Sequence, residues 1–276
     1  MNKLDTAKRV AIISALVEGN SLRSTQRMTG VSINTVTKLL VDAGEACARY
    51  QHEKLRNLPC RHIQCDEIWS FCCMKQKNVP PAKQGILGYG DVWTWTAMCS
   101  DTKLVPSWLV GARDSEHACA FIADLSGRLA HRVQLTTDGL KLYLKAVEDG
   151  FGGDIDYAQI IKVYENATGN GSEVRYSPGE QVETYKEIVT GNPRENFIGT
   201  SYVERQNLTM RMRMRRFTRL TNAFSKKIEN LGAAVALHYM HANFVRRHQT
   251  LRVTPAMAAG VERKVWTLTD LVSIID

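Results

Sequence analysis

Apolar positions in the first fifty residues recur at helical spacing. Val10, Ile13, Leu16 and Val17 fall on one face of a helix that breaks at Gly19-Asn20. A second, short helix is expected from the N-cap Ser21 to Met28 or Thr29, and a third, beginning INTVTKLL, from the N-cap Ser32. The turn TGVS joins these two, with Gly30 permitting the tight bend and Val31 and Val36 filling the space between the helices. Three helices with a glycine turn between the second and third have the arrangement of a helix-turn-helix, which leaves Asn34, Thr35 and Lys38 outside, where they could touch DNA. An ordinary small helical bundle that positions the rest of the chain would share this pattern.

Residues 51 to 61 are polar with a proline near the end, and read as a linker. The pattern then changes from helical spacing to runs of β-branched and aromatic residues. Strands are expected at 62 to 75, 92 to 100, 103 to 111 and 131 to 138, with a helix capped by Ser115 between the third and fourth. A meander followed by a helical crossover predicts an α/β fold with a mixed sheet and flanking helices. A fifth strand is expected at 157 to 164, followed by a polar, Gly- and Asn-punctuated stretch to Thr200, long enough to count as an insertion. Helical spacing returns at 201 to 220 and 224 to 248, ahead of a short tail.

The late helix TSYVERQNLTMRMRMRRFTRL is dense in arginine, and at about 100° per residue its side chains sort into stripes. Glu204, Leu208, Arg211, Arg215 and Thr218 share one; Val203, Met210, Met214 and Phe217 share its neighbour. The apolar stripe is enough to pin the helix on a sheet, while Arg205, Arg213, Arg216 and Arg219 take the other faces.

Composition narrows the function classes. The 276 residues are 44% hydrophobic, enough for a sizeable core, and the formal net charge of +8 favours a polyanionic partner, because clustered Lys and Arg displace condensed counterions from phosphates. The seven scattered cysteines form no paired framework, which fits a reducing cytoplasm. The apolar run at 11 to 17 is followed at once by Glu18 and lacks a cleavage pattern, so neither a leader nor a membrane span is expected.

Three acids stand out by position. Asp66 lies mid-strand, where a carboxylate is costly unless paired or metal-bound; Asp138 ends the fourth strand beside Gly139; Glu204 begins the late helix. If the first and fourth strands are neighbours and the helix crosses them, the three converge. Their hard oxygens then suit magnesium or manganese, two ions clamping a phosphodiester. Period-two alternation sends Glu67 to the opposite sheet face, away from such a site. His62 with Cys60, Cys65, Cys72 and Cys73 matches no tetrahedral zinc spacing; Trp69, Trp93 and Trp95 read as sheet-packing residues; Lys141 and Tyr143 sit where a phosphate or a solvated helix start is expected.

The segments GVSINTVTKLL, CDEIWSF, VWTW followed by DTK, TTDGLKLY and YVERQNLTMRMRMRRFTRLTNAFSKKIEN together resemble bacterial insertion-sequence transposases of the DDE type, within the group of insertion sequence one. That resemblance spans most of the chain. It implies a helix-turn-helix domain over 1–50, a linker over 51–61, a ribonuclease-H-like catalytic domain over 62–248 with an insertion at about 151–199, and a tail over 249–276. It implies Asp66, Asp138 and Glu204 as catalytic and metal-holding residues, spaced Asp-x71-Asp-x65-Glu, and two magnesium or manganese ions. The second interval is much longer than in compact members, and no Cys-rich zinc segment precedes the helix-turn-helix.

The activity so implied is binding of transposon terminal inverted repeats, strand cleavage and strand transfer into target DNA. It would be carried out by a homo-oligomer on double-stranded DNA in the cytoplasm, at the nucleoid. Asn34, Thr35, Lys38, Arg211, Arg215 and Arg216 are the expected DNA contacts. The competing readings are a domesticated or inactive DNA-binding derivative, and a related integrase or nuclease.

Overall fold

The computed structural model describes residues 4–165, 180–218 and 221–275. Arg219 and the 166–179 part of the expected insertion lie outside the described residues. The three N-terminal helices are α1 (Thr6–Val17), α2 (Leu22–Thr29) and α3 (Ile33–Lys54). Asp5, Ser21 and Ser32 cap them, each side chain accepting a backbone N–H from the first turn. Gly30 closes α2 in the left-handed region at φ 67°, as the turn required. The third helix does not stop near residue 50 but continues to Lys54, into the segment expected to be a linker.

A six-stranded mixed sheet follows: β1 (His62–Cys72), β2 (Gly90–Cys99), β3 (Trp108–Gly111), β4 (Val133–Asp138), β5 (Ile155–Glu165) and β6 (Glu180–Thr190), in the spatial order β3-β2-β1-β4-β5-β6. The β1–β2, β2–β3 and β5–β6 pairs are antiparallel, and β4 runs parallel to both β1 and β5. The helices α4 (Ser115–Ser126) and α5 (Leu142–Phe151) connect β3 to β4 and β4 to β5. Later come α6 (Ser201–Arg213), α7 (Ile228–Met240), α8 (Pro255–Ala258) and α9 (Leu268–Ser273).

Several elements depart from the sequence pattern for local reasons. The strand expected from residue 103 begins only at Trp108, because Lys103 turns at φ 61° and Pro106 has no N–H to give a ladder. Asp114, not Ser115, caps α4, its carboxylate accepting the His117 N–H. β6 occupies part of the segment expected to be a polar insertion. The late helix ends at Arg213, where Met214 turns extended (φ −132°, ψ 106°) before a single 3-10 turn, Arg215–Phe217. Arg215 and Thr218 therefore do not continue the Glu204 stripe. The last long helix starts at Ile228, not at 224, and ends in a π-helical turn, His241–Val245.

One apolar core runs through the molecule. It joins Ile12, Ile13, Val36 and Leu40 of the N-terminal helices to Trp95 and Leu135 of the sheet and to Leu231 and Val235 of α7. Gly44 lets α3 approach α7 closely, since a Cβ there would sit 2.4 Å from Ala233. The apolar stripe expected of the late helix is buried, Val203 and Met210 on α6 and Met214 and Phe217 just past its end. Each such side chain contributes roughly 1.5–3 kcal/mol, so the helix that carries Glu204 is held firmly on the sheet.

Candidate metal centre

The parallel pairing of β1 with β4 ends at Cys65 opposite Thr137, and the next residue on each strand is an aspartate. Asp66 accepts the Asn207 amide on Oδ2 at 2.8 Å and the Glu67 N–H on Oδ1 at 2.9 Å. Asp138 turns back to accept the Leu140 N–H at 3.2 Å, a turn that Gly139 eases. β4 stops here, so neither aspartate has a partner across the β1–β4 pair. One oxygen each of Asp66, Glu67 and Asp138 lies within 4.8 Å of the others.

Glu67 thus reaches a cluster that strand alternation alone assigned to the other face. Its side chain is 1% exposed and held by two partners, the Arg113 guanidinium at 2.6 Å and the Tyr143 hydroxyl, which donates at 3.2 Å. Arg113 in turn lies over the Trp93 ring, 4.6 Å from its centre. Tyr143 is fully buried and serves Glu67, while Lys141 stays exposed.

The electrostatics are those of crowded acids. Burial, followed by the charges of Glu67 and Asp138, pushes the Asp66 carboxyl up to about 7. Burial and the Asp138 charge also raise Glu67, against the pull of Arg113 and Tyr143. Asp138 is raised by burial, opposed by the Leu140 N–H and by Arg113 and Lys162. Three carboxylates that resist ionising together form a site that gains from a cation.

Glu204 stands apart from that trio. It starts α6 beside the cluster, and its charge is felt at both Asp66 and Asp138, but Lys162 on β5 and the Thr200 hydroxyl hold it. Burial would raise its pKa; the hydrogen bonds from Lys162 and Thr200 outweigh burial and lower it. Three residues further along α6, Asn207 binds Asp66 through Nδ2, while its buried Oδ1 has no hydrogen-bond partner. Reversing the amide would set Oδ1 against the Asp66 carboxylate, so the orphaned oxygen stays an oxygen. The donor set consists of hard oxygens, one of them unsatisfied, and it fits a divalent cation such as magnesium or manganese. Asp66, Glu67 and Asp138 could hold such an ion, with Glu204 and Asn207 at the margin.

The expected DNA contacts fall in two places. Asn34 and Lys38 are exposed on α3 and Thr35 is half-buried at its first turn; Lys38 forms an i,i+4 pair with Asp42 at 2.7 Å. Arg211 is half-buried on α6 and Arg215 is exposed past the helix end. Arg216 turns inward to the Ser225 hydroxyl, and burial lowers its pKa to about 10. His62 stacks on Phe197 and pairs with Asp101, and all seven cysteines are free thiols. Trp95 is buried, with its indole N–H donated to the Ala112 carbonyl. Glu67, Arg113, Tyr143, Lys162 and Asn207 were not in the expected site. Glu67 and Tyr143 drew notice in the sequence for other roles, and Asn207 left a signal in its i+3 spacing from Glu204 on one helix face.

No family model matches the chain, and neither does any curated protein. Among solved structures, the piggyBac transposase synaptic complex with hairpin DNA is similar at 11% identity and a TM-score of 0.42, over 98% of this chain and 69% of that one. A likeness at that level carries no argument about activity. Among the described residues, no helix is long and apolar enough to cross a membrane.

Proposed function

We propose that the protein is a DNA transposase that binds transposon ends, cleaves DNA strands and transfers them into target DNA. The observation that carries this reading is the placement of Asp66 and Asp138 at adjoining ends of the parallel β1–β4 pair, with α6 bringing Glu204 alongside. Its support from sequence is the resemblance to insertion-sequence transposases of the DDE type. Asp66, Asp138 and Glu204 are the catalytic residues in this reading, and the same three hold the metal. Two magnesium or manganese ions, when bound, would supply charge neutralisation at the phosphodiester and activation of water.

The chain's own part is placement and charge. Water attacks phosphorus at the transposon end, the P–O3′ bond breaks, and a free 3′ hydroxyl remains. That hydroxyl then attacks a target phosphodiester, a new 3′-O–P bond forms and the target's 3′ oxygen leaves. Neither step needs a covalent bond to the protein, and holding the reacting groups in line accounts for most of the acceleration. Asn207 fixes the Asp66 carboxylate, and Arg113 with Tyr143 fixes Glu67. The exposed Asn34 and Lys38, with Thr35, would read the terminal repeats from α3, and Arg211 and Arg215 would grip backbone near the site, while Arg216, expected to join them, is taken up by Ser225. The protein would work as a homo-oligomer on double-stranded DNA in the cytoplasm, at the nucleoid.

A second reading follows from the cluster itself. Because Glu67, and not Glu204, shares the 4.8 Å group with both aspartates, a nuclease using Glu67 as its third carboxylate is the alternative. Alanine at Asp66, Asp138 or Glu204, one at a time, should abolish cleavage of end-containing DNA with magnesium and leave end binding intact. Near wild-type cleavage by any of the three removes that residue from the assignment.

A further inference from the structure

Beyond the acidic cluster, β1 runs on to a second concave site. Phe71 lies five residues past Asp66, roughly 17 Å along the strand, and lines a cavity of about 480 Å³ together with Lys75, Asn78, Asn222 and Phe224. The segment carrying Asn222 and Phe224 is tied to the end of β1: the Cys73 N–H donates to the Ser225 carbonyl at 2.8 Å. Cys73 takes the left-handed region at φ 63°, which turns the chain away from the strand direction and opens the hollow.

The lining combines three chemistries. Phe71 and Phe224 pack ring to ring at 4.8 Å with a 35° tilt; Phe71 is buried beneath and Phe224 is half-buried at the wall. Asn78 and Asn222 are exposed amides that offer both donors and acceptors. Lys75, exposed and 6.0 Å from the Phe71 ring centre, brings a positive charge to the cavity, and the exposed Lys77, Lys226 and Lys227 lie two or three residues beyond its lining residues Lys75 and Phe224. An aromatic wall, amide edges and a cationic rim together suit a flat, hydrogen-bonding heterocycle attached to a phosphate.

We infer that this cavity takes one unstacked base of single-stranded DNA, stacked on Phe224, with the adjoining phosphate at Lys75. The choice of DNA as the polymer rests on the function proposed above; the stacking site itself rests on the cavity. Phe71 shares its face of β1 with Glu67, four residues back, a separation of a few nucleotides, so a strand passing Glu67 on that face could present such a base.

The test uses the full chain in EDTA, so that cleavage and metal binding play no part. A short oligodeoxythymidine carrying one 2-aminopurine is titrated with wild type, Phe224→Leu, Phe224→Ala and Lys75→Ala, beside its duplex and the matching oligouridine. Wild type should quench the 2-aminopurine and bind the single-stranded DNA; Phe224→Ala should weaken that binding about 5- to 100-fold and abolish the quench. Phe224→Leu keeps apolar packing against Phe71, so its loss of quenching separates stacking from damage to the fold. Lys75→Ala should weaken binding and flatten its salt dependence while leaving the quench. Unchanged binding and quenching in both Phe224 variants overturn the proposal, as does an equal loss on duplex and single strand. Tighter binding of the oligouridine with the same Phe224 dependence overturns the assignment to DNA. None of these results bears on Asp66, Asp138 or Glu204, whose failure would appear only in the cleavage assay with metal.

Discussion

The strand carboxylates and the helix carboxylate are prepared in opposite ways. Asp66, Glu67 and Asp138 sit together on the central strands with their pKa values raised, three acids beside the single Arg113 guanidinium. Glu204, on the neighbouring helix, is lowered and already satisfied by Lys162 and Thr200. The strands thus carry a standing electrostatic cost that a cation would relieve, whereas Glu204 must exchange one cationic partner for another to join them. In the proposed reading, the strand pair would hold an ion and the helix residue would complete the site.

The largest expected effect is on that strand pair. Asp66→Asn or Asp138→Asn should lower cleavage of end-containing DNA by roughly a hundredfold to a thousandfold or more, with DNA affinity retained in a gel-shift assay. The same crowding predicts a pH effect on folding. Because Asp66, Glu67 and Asp138 bind protons more tightly folded than unfolded, their contribution to the stability of the metal-free protein is full at low pH and is lost as pH rises from about 4 towards 7, where Asp66 ionises. Thermal unfolding in EDTA should therefore show Asp66→Asn raising Tm over wild type more at pH 8 than at pH 5. Manganese should raise Tm more at pH 8 than at pH 5; an equal rise at both would count against crowded carboxylates as the binding site.

Smaller effects sharpen the contrast on the helix side. Lys162→Ala releases Glu204 from its partner and should lower the half-saturating magnesium concentration by up to about fivefold, the worth of a part-exposed ion pair. An unchanged metal dependence would mean that Lys162 does not compete for Glu204. The smallest effects separate two neighbouring arginines. Arg215→Gln should reduce the salt slope of DNA binding by about one, because its side chain is exposed. Arg216→Gln should lower Tm and leave the slope nearly unchanged, because it points to Ser225.

Much of the fold was legible where side chains report burial by spacing. The caps at Ser21 and Ser32, the glycine turn at Gly30 and the apolar stripe of the late helix follow from local chemistry, whereas the adjacency of the first and fourth strands, a pairing of segments far apart in the chain, entered only as a condition. β6 was not legible because the side chains at 182 to 189 are exposed, so no buried face imposes an alternation. The end of α6 at Arg213 was hidden for the opposite reason: Met214 and Phe217 are buried as helical spacing predicts, yet they reach the core from an extended residue and a 3-10 turn. At the site, period-two alternation set Glu67 on the face opposite Asp66 but said nothing of how far its carboxylate reaches where the β1–β4 pairing ends. Its partners Arg113 and Tyr143 come from other elements, distant in sequence.

The most direct measurement compares Glu204→Gln with Glu67→Gln in magnesium-dependent cleavage of end-containing DNA. A transposase built on Asp66, Asp138 and Glu204 predicts a loss of roughly a hundredfold or more for Glu204→Gln, while Glu67→Gln, keeping its hydrogen bonds to Arg113 and Tyr143, stays within about tenfold of wild type. The reverse pattern, with Glu204→Gln active and Glu67→Gln inactive, would contradict it.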